Sequence, residues 1–172
     1  TVIANATIDG EPIPALEAAG YYIIVATAGH DTTSSSTAGG LLALLENPEE
    51  FAKLRSDPGK YVDGAVEEMI RWVSPVRHFM RTATRDHELR GTTIRAGESV
   101  ILWYPSANRD EDVFDAPFEF RIERPPARNL AFGYGAHVCL GQHLARLEMA
   151  ALYRELLARV ESIELAGTPQ FA

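Results

Sequence analysis

The chain has 172 residues, is 46% hydrophobic and 23% charged, and carries a formal net charge of −8. It is long enough to bury one sizeable core and too acidic for a nucleic-acid-binding face. Its single cysteine excludes an intrachain disulfide and fits a reducing, cytoplasmic setting, and its most apolar early stretch, Tyr21 to Ala28, is too short to span a bilayer. No basic and apolar leader opens the sequence. It starts at Thr1 and reaches its first methionine at Met69, so it reads as part of a longer protein.

In chain order, a turn at Asp9-Gly10 precedes Pro12 and Pro14, and a run from about Leu16 to Glu46 reads as one long helix with a weak middle. Glycines, serines, threonines, His30 and Asp31 crowd residues 29–40, at a cost of about 6–8 kcal/mol against an all-alanine helix. Either the helix breaks there or surrounding structure enforces it. The apolar residues on both sides, Tyr22 to Val25 and Leu41 to Leu45, favour a buried helix with a functional irregularity. A short helix from Pro48 ends at Asp57-Pro58-Gly59, and another runs from about Val62 to Val73 until Ser74-Pro75 stops it.

Strand patterns follow at Phe79 to Thr84, Thr92 to Ile94 and Ser99 to Tyr104, then an irregular, functional-looking segment from Ser106 to Asn129. A last helix begins near Leu140, with Leu144, Leu147, Ala151, Leu152, Leu156 and Val160 as its core-facing stripe. The expected fold is mainly α with a small β component, in a single incomplete domain over 1–172.

Cys139 lies in a glycine-punctuated segment that opens this last helix, Phe132-Gly133-Tyr134-Gly135-Ala136-His137-Val138-Cys139-Leu140-Gly141. A lone cysteine is most often a small buried hydrophobe. A nucleophile paired with His137 or His143 lacks a recognisable His-plus-acid partner. Zinc held by His137, Cys139 and His143 lacks a fourth ligand and a known spacing. Haem iron needs one axial thiolate, an apolar surface beside it and donors for its propionates.

The pattern Phe132-x-x-Gly135-x-His137-x-Cys139-x-Gly141 resembles the haem-binding signature of the cytochrome P450 monooxygenases. Three further motifs occur in that family's order. Ala28-Gly29-His30-Asp31-Thr32-Thr33 resembles the oxygen-activating stretch of the long central helix. Glu68-x-x-Arg71 resembles the acid–arginine pair of a later helix. Phe120-Arg121-Ile122-Glu123-Arg124 resembles the segment whose arginine completes a triad. The resemblance covers the C-terminal part of the family's fold and is nearest in look to the bacterial terpineol-hydroxylating branch. It implies N-terminal helices over the distal pocket and a final sheet after Phe171, so these 172 residues alone are expected not to form a competent enzyme.

The same resemblance implies roles. Cys139 is the iron ligand of haem b, with Gly135 and Gly141 keeping its loop clear and Phe132 packing near the sulfur. His137 and Arg81 take the propionates; a charged Arg81 after Phe79-Met80 in an apolar strand calls for a buried anion. Ala28 and Gly29 leave room for O₂, Thr32 orients it and Asp31 relays protons. Two plainer readings are Asp31 as a helix N-cap and Thr32 bonded back to its own helix. Glu68, Arg71 and Arg124 form a structural triad bracing the cysteine loop. Val25, Val76, Phe79 and Met80 line the substrate pocket with Ala28, Gly29 and Thr32. Arg146 receives an acidic electron-transfer partner. The implied activity is hydroxylation of a small apolar substrate, terpenoid alcohols foremost, with electrons from an iron–sulfur ferredoxin. The alternative is a haem-thiolate binding or sensing module without oxygenase activity.

Overall fold

Three prolines set the starts of the first three helices. In the computed structural model, which describes residues 3–125 and 128–170, α1 (Ala15–Glu46) follows Pro14. Helices α2 (Pro48–Ser56) and α3 (Pro58–Val73) each carry proline in the first turn, where a missing N–H costs no hydrogen bond. Asp57 Oδ1 accepts from the Lys60 N–H at 3.0 Å and caps α3. The sequence placed the start of α3 near Val62, a turn late, because Pro58 both ends α2 and begins α3. Ser74 closes α3 in the left-handed conformation (φ 44°), its N–H bonded to the Ile70 carbonyl at 3.0 Å.

The weak middle of α1 does not break it. Its hydroxyls bond back one turn: Thr32 Oγ1 to the Ala28 carbonyl at 2.6 Å, Ser34 Oγ to His30 at 2.8 Å and Thr37 Oγ1 to Thr33 at 2.8 Å. The second half is then held by packing, with Ser36, Gly40, Ala43 and Leu44 buried. Gly40 is required there. A Cβ on it would stand 2.6 Å from Met69 Cγ and 2.8 Å from Met69 Cβ, so α1 and α3 approach as closely as a bare backbone allows. The first half of α1 departs from expectation: Tyr21, Tyr22, Ile23, Ile24 and Val25 are all exposed, and the buried residues of α1 begin at Ser36.

The strands are short and locally paired. β1 (Thr7–Ile8) and β2 (Glu11–Pro12) form a hairpin about Asp9-Gly10, both at positive φ, as a two-residue hairpin turn requires. β3 (His78–Thr82) runs antiparallel to β6 (Ser99–Trp103), with His78 opposite Trp103 and Thr82 opposite Ser99. Between them in sequence, β4 (His87–Leu89) and β5 (Thr92–Ile94) make a hairpin about Arg90-Gly91. β4 has no period-2 apolar signal and was not expected. One turn, α4 (Tyr104–Ala107), leads into the irregular segment, and α5 (Gln142–Arg159) follows the cysteine loop.

α3 is the hub of the core. Its Val62, Val66, Met69 and Ile70 pack with Ala43 and Leu44 of α1, Leu54 of α2, Met149, Ala150 and Tyr153 of α5, Phe120 and Ile122 of the irregular segment, and Ala131 at the start of the cysteine loop. α5 therefore meets the core chiefly through Met149, Ala150 and Tyr153, and of the expected stripe Leu156 packs against it. Leu144, Leu147, Ala151 and Leu152 are exposed and Leu156 and Val160 half-buried. The helix is apolar on two sides, and periodicity alone does not say which side faces the core.

Candidate functional site

The residues that resembled a structural triad come together as a buried ionic lock. Arg71 grips Glu68 with two hydrogen bonds, Nε to Oε2 and Nη2 to Oε1, each 2.7 Å, with both side chains 2% exposed. Arg124 donates from Nε to Glu68 Oε2 at 3.0 Å. The remaining donors find backbone carbonyls. Arg71 Nη1 reaches Asn108 at 2.8 Å and Pro117 at 3.0 Å, and Arg124 Nη2 reaches Glu119 at 2.7 Å. Glu68 Oε1 also accepts from the Arg121 N–H at 2.9 Å. Two cations against one buried carboxylate persist because every polar atom is engaged. The lock's hydrogen bonds fall on residues 108–124, and none of them reaches 130–141 itself.

The cysteine loop is built by glycine. Gly133 (φ 71°) and Gly135 (φ 73°) turn the chain, and the Cys139 N–H closes the loop onto the Phe132 carbonyl at 2.8 Å. Cys139 is exposed and its sulfur has no hydrogen-bond partner among the described residues, which removes the reading of a small buried hydrophobe. His137 is exposed. Among the described residues no three of His, Cys, Asp or Glu gather as a metal site, so zinc at His137, Cys139 and His143 has no support. Gly141 caps α5, and a Cβ on Gly135 or Gly141 would meet nothing within 4 Å. Phe132 is half-buried against the core.

Arg146 does not stand free to meet a partner. Its guanidinium lies 4.5 Å from the centre of the Phe132 ring and pairs with Glu67 of α3, Nη2 to Oε2 at 3.2 Å. It is spent on tying α5 to α3 and holding Phe132 from above.

On α1, Asp31 lies inside the helix, which excludes the N-cap reading, and is exposed beside His30 (Nε2 to Oδ1 3.9 Å). Thr32 is bonded back to its own helix. Ala28 and Gly29 are exposed, and a Cβ on Gly29 would meet nothing within 4 Å. On β3, Phe79 and Met80 are exposed, and Val76 just before it is half-buried. Arg81 finds no buried anion: it is exposed, and Nη1 donates to the neighbouring Met80 carbonyl at 2.9 Å. No hydrogen bond or ion pair links the Ala28–Thr32 stretch to the cysteine loop. What they share is open apolar surface, with Val25, Phe79, Met80, Val138, Leu140 and Leu144 all uncovered.

Several participants were not read from the sequence. Asn108, wholly buried, receives the Leu130 N–H on Oδ1 at 2.6 Å. Glu50 of α2 accepts the Ile122 N–H at 2.7 Å, and Arg109 donates to the Trp72 carbonyl at 2.8 Å while lying over its ring. Partial burial, and then the neighbouring Arg71 charge, lower the Arg109 pKa from its ordinary value. These polar residues carry no periodic signal. An open pocket of about 1110 Å³ lies by α2 and the irregular segment, lined by Glu49, Glu50, Phe118 and Glu123 among others, away from Cys139.

A mainly helical fold, an ion-pair lock on α3 and a glycine-built cysteine loop before the last helix are the arrangement expected of the haem-thiolate class. The chain belongs to the cytochrome P450 family, whose family model matches residues 59–166. It is 51% identical over 170 residues to cytochrome P450-terp of a Pseudomonas species, across 99% of this chain and 40% of that protein. It is 42% identical to the methyl-branched lipid omega-hydroxylase of Mycobacterium tuberculosis, across 97% of this chain and 39% of that one. A crystal structure of a family member from Novosphingobium aromaticivorans matches with a TM-score of 0.90 and 55% identity, covering 98% of this chain and 41% of that one. The chain thus spans about two fifths of the length of these relatives. The fold and family expected from the motifs hold.

Proposed function

We propose that the chain is the haem-carrying part of a monooxygenase that hydroxylates a small apolar substrate, with terpenoid alcohols the leading class. Cytochrome P450-terp, at 51% identity, is the relative that motivates that class. The further assignments are haem b as cofactor, an iron–sulfur ferredoxin as electron donor and a cytoplasmic location. No described helix is long and apolar enough to cross a membrane.

The residues present fit a haem. Cys139 offers an unpartnered sulfur, Gly135 and Gly141 leave clear space around it, and uncovered apolar side chains on α1, β3 and the start of α5 supply a dry face. When bound, haem supplies the iron at which O₂ is activated for insertion into a C–H bond. The single observation that carries the reading is the exposed Cys139, presented by a loop whose amide is fixed on Phe132.

The chain's own residues then have distinct tasks. Cys139 donates its sulfur, and Phe132, clamped between the core and Arg146, keeps the loop from shifting. His137 and Arg81, both exposed cations or potential cations, hold the carboxylates at the rim. Ala28 and Gly29 keep side-chain bulk off the oxygen side. Thr32 Oγ1 keeps its proton on the Ala28 carbonyl until it turns to donate to oxygen, and Asp31, open to solvent, resupplies that proton. Val25, Val76, Phe79 and Met80 exclude water from the substrate.

In the full-length, haem-loaded protein reduced under carbon monoxide, a thiolate-type absorption band is expected, and Cys139→Ala abolishes it. A normal band in that variant overturns the ligand assignment. Thr32→Ala is expected to lower product formed per electron consumed by tenfold or more, while leaving that band in place.

A further inference from the structure

Among the described residues, one hydrogen-bonded bridge joins the ion-pair lock to the cysteine loop. Asn108 ends α4 with its side chain at 0% exposure, and every polar atom it owns is committed. Its carbonyl accepts from Arg71 Nη1 at 2.8 Å and its N–H donates to the Tyr104 carbonyl at 2.9 Å. Its Nδ2 donates to Ser74 Oγ at 2.8 Å, and that hydroxyl donates to the Arg71 carbonyl at 2.8 Å. Its Oδ1 accepts the Leu130 N–H at 2.6 Å. Among the described residues this is the one hydrogen bond that enters residues 130–141 from outside the flanking stretch 128–146.

The path continues inside the loop. The Leu130 carbonyl accepts the Gly133 N–H at 2.9 Å, which sets the first turn, and the Phe132 carbonyl accepts the Cys139 N–H at 2.8 Å. We infer that Asn108 is the positioning residue of the cysteine loop, carrying the geometry of the Glu68–Arg71 lock through Leu130 and Phe132 to the Cys139 amide. A side-chain amide suits the task because it offers an acceptor toward Leu130 and a donor toward Ser74 on opposite edges of one rigid plane. Where this concerns haem it rests on the function proposed above; where it concerns the loop it does not.

The test is hydrogen exchange on the full-length protein. Asn108→Ala leaves the partly buried Leu130 N–H without its acceptor. Amides from Leu130 to Cys139 are expected to exchange about tenfold faster or more, with α3 unchanged. Asn108→Asp keeps the acceptor and is expected to restore most of that protection. A residue that merely filled space would give the reverse order, since aspartate buries a charge. Equal loop exchange in the two variants, or native exchange in Asn108→Ala, overturns the assignment. If Asn108→Ala does not fold, Ser74→Ala removes only the anchor and is expected to give a smaller acceleration confined to 130–139; unchanged exchange there overturns it as well. In the haem-loaded protein, Asn108→Ala is expected to lose part of the thiolate-type band that Asn108→Asp retains. A full band in an Asn108→Ala protein whose loop exchanges fast overturns the link to Cys139. No such band in the unsubstituted protein refutes the haem reading alone and leaves the exchange result standing.

Discussion

The surroundings of Glu68 and those of Cys139 solve opposite problems. Around Glu68 the chain satisfies itself: two arginines, one carboxylate and several carbonyls close a network with water excluded. Around Cys139 the chain leaves everything unmatched, with a bare sulfur, glycines facing open space and apolar side chains uncovered from α1 to α5. Such contiguous apolar surface marks a site that something else completes. The lesson is a division of labour in which the closed region supplies rigidity and the open region supplies the reactive face.

The largest effect should fall on the closed side. Arg71→Ala leaves the buried Glu68 carboxylate to Arg124 and the Arg121 N–H and frees the carbonyls that Arg71 held. It is expected to cost about 3–5 kcal/mol, read from the denaturation midpoint, and a cost below about 1 kcal/mol would mean that the lock is ornamental. Next comes a pair of substitutions along one helix. Gly40→Ala and Gly29→Ala gain the same helix propensity, about 1 kcal/mol. The Gly40 methyl group collides with Met69 whereas the Gly29 methyl group meets nothing. The two variants are expected to differ in stability by about 1–3 kcal/mol, the cost of overpacking. Equal values would show that the two halves of α1 are not differently packed.

A smaller effect separates α5 from α1. Tyr153 donates to the Thr37 carbonyl at 2.7 Å, and burial raises its pKa. The folded protein therefore keeps the phenol protonated at pH values where the unfolded chain ionises, near pH 10. Stability from this site is full below about pH 10 and falls above it, because the unfolded state then binds fewer protons. Tyr153→Phe is expected to lose about 1 kcal/mol at neutral pH and to flatten that alkaline decline, measured by urea denaturation across pH 8 to 11.

Helix positions were legible because proline, capping residues and apolar periodicity act within a few residues of each other. A spacing of three puts Glu68 and Arg71 on one face of a helix, but the family resemblance was what singled them out as a buried pair. Arg124 was reached only through the family resemblance, since no local rule connects it to a carboxylate 56 residues away. Asn108 was passed over for the same reason: a lone asparagine in an irregular segment looks like any turn residue. Burial failed where periodicity reports that a face is apolar without saying what covers it. That is why Tyr22 to Val25 and the Leu144–Leu147 side were expected inside and lie outside. The Arg146–Glu67 pair was not visible because its two members sit on different helices.

α1 runs 32 residues, about 48 Å at 1.5 Å per residue, and is gripped only from Ser36 onward. A stiff rod fixed at one end is a lever, and its fulcrum is the contact of Gly40 with Met69. Met69 directly follows Glu68, so the contact that fixes the arm lies one residue from the carboxylate that both arginines hold.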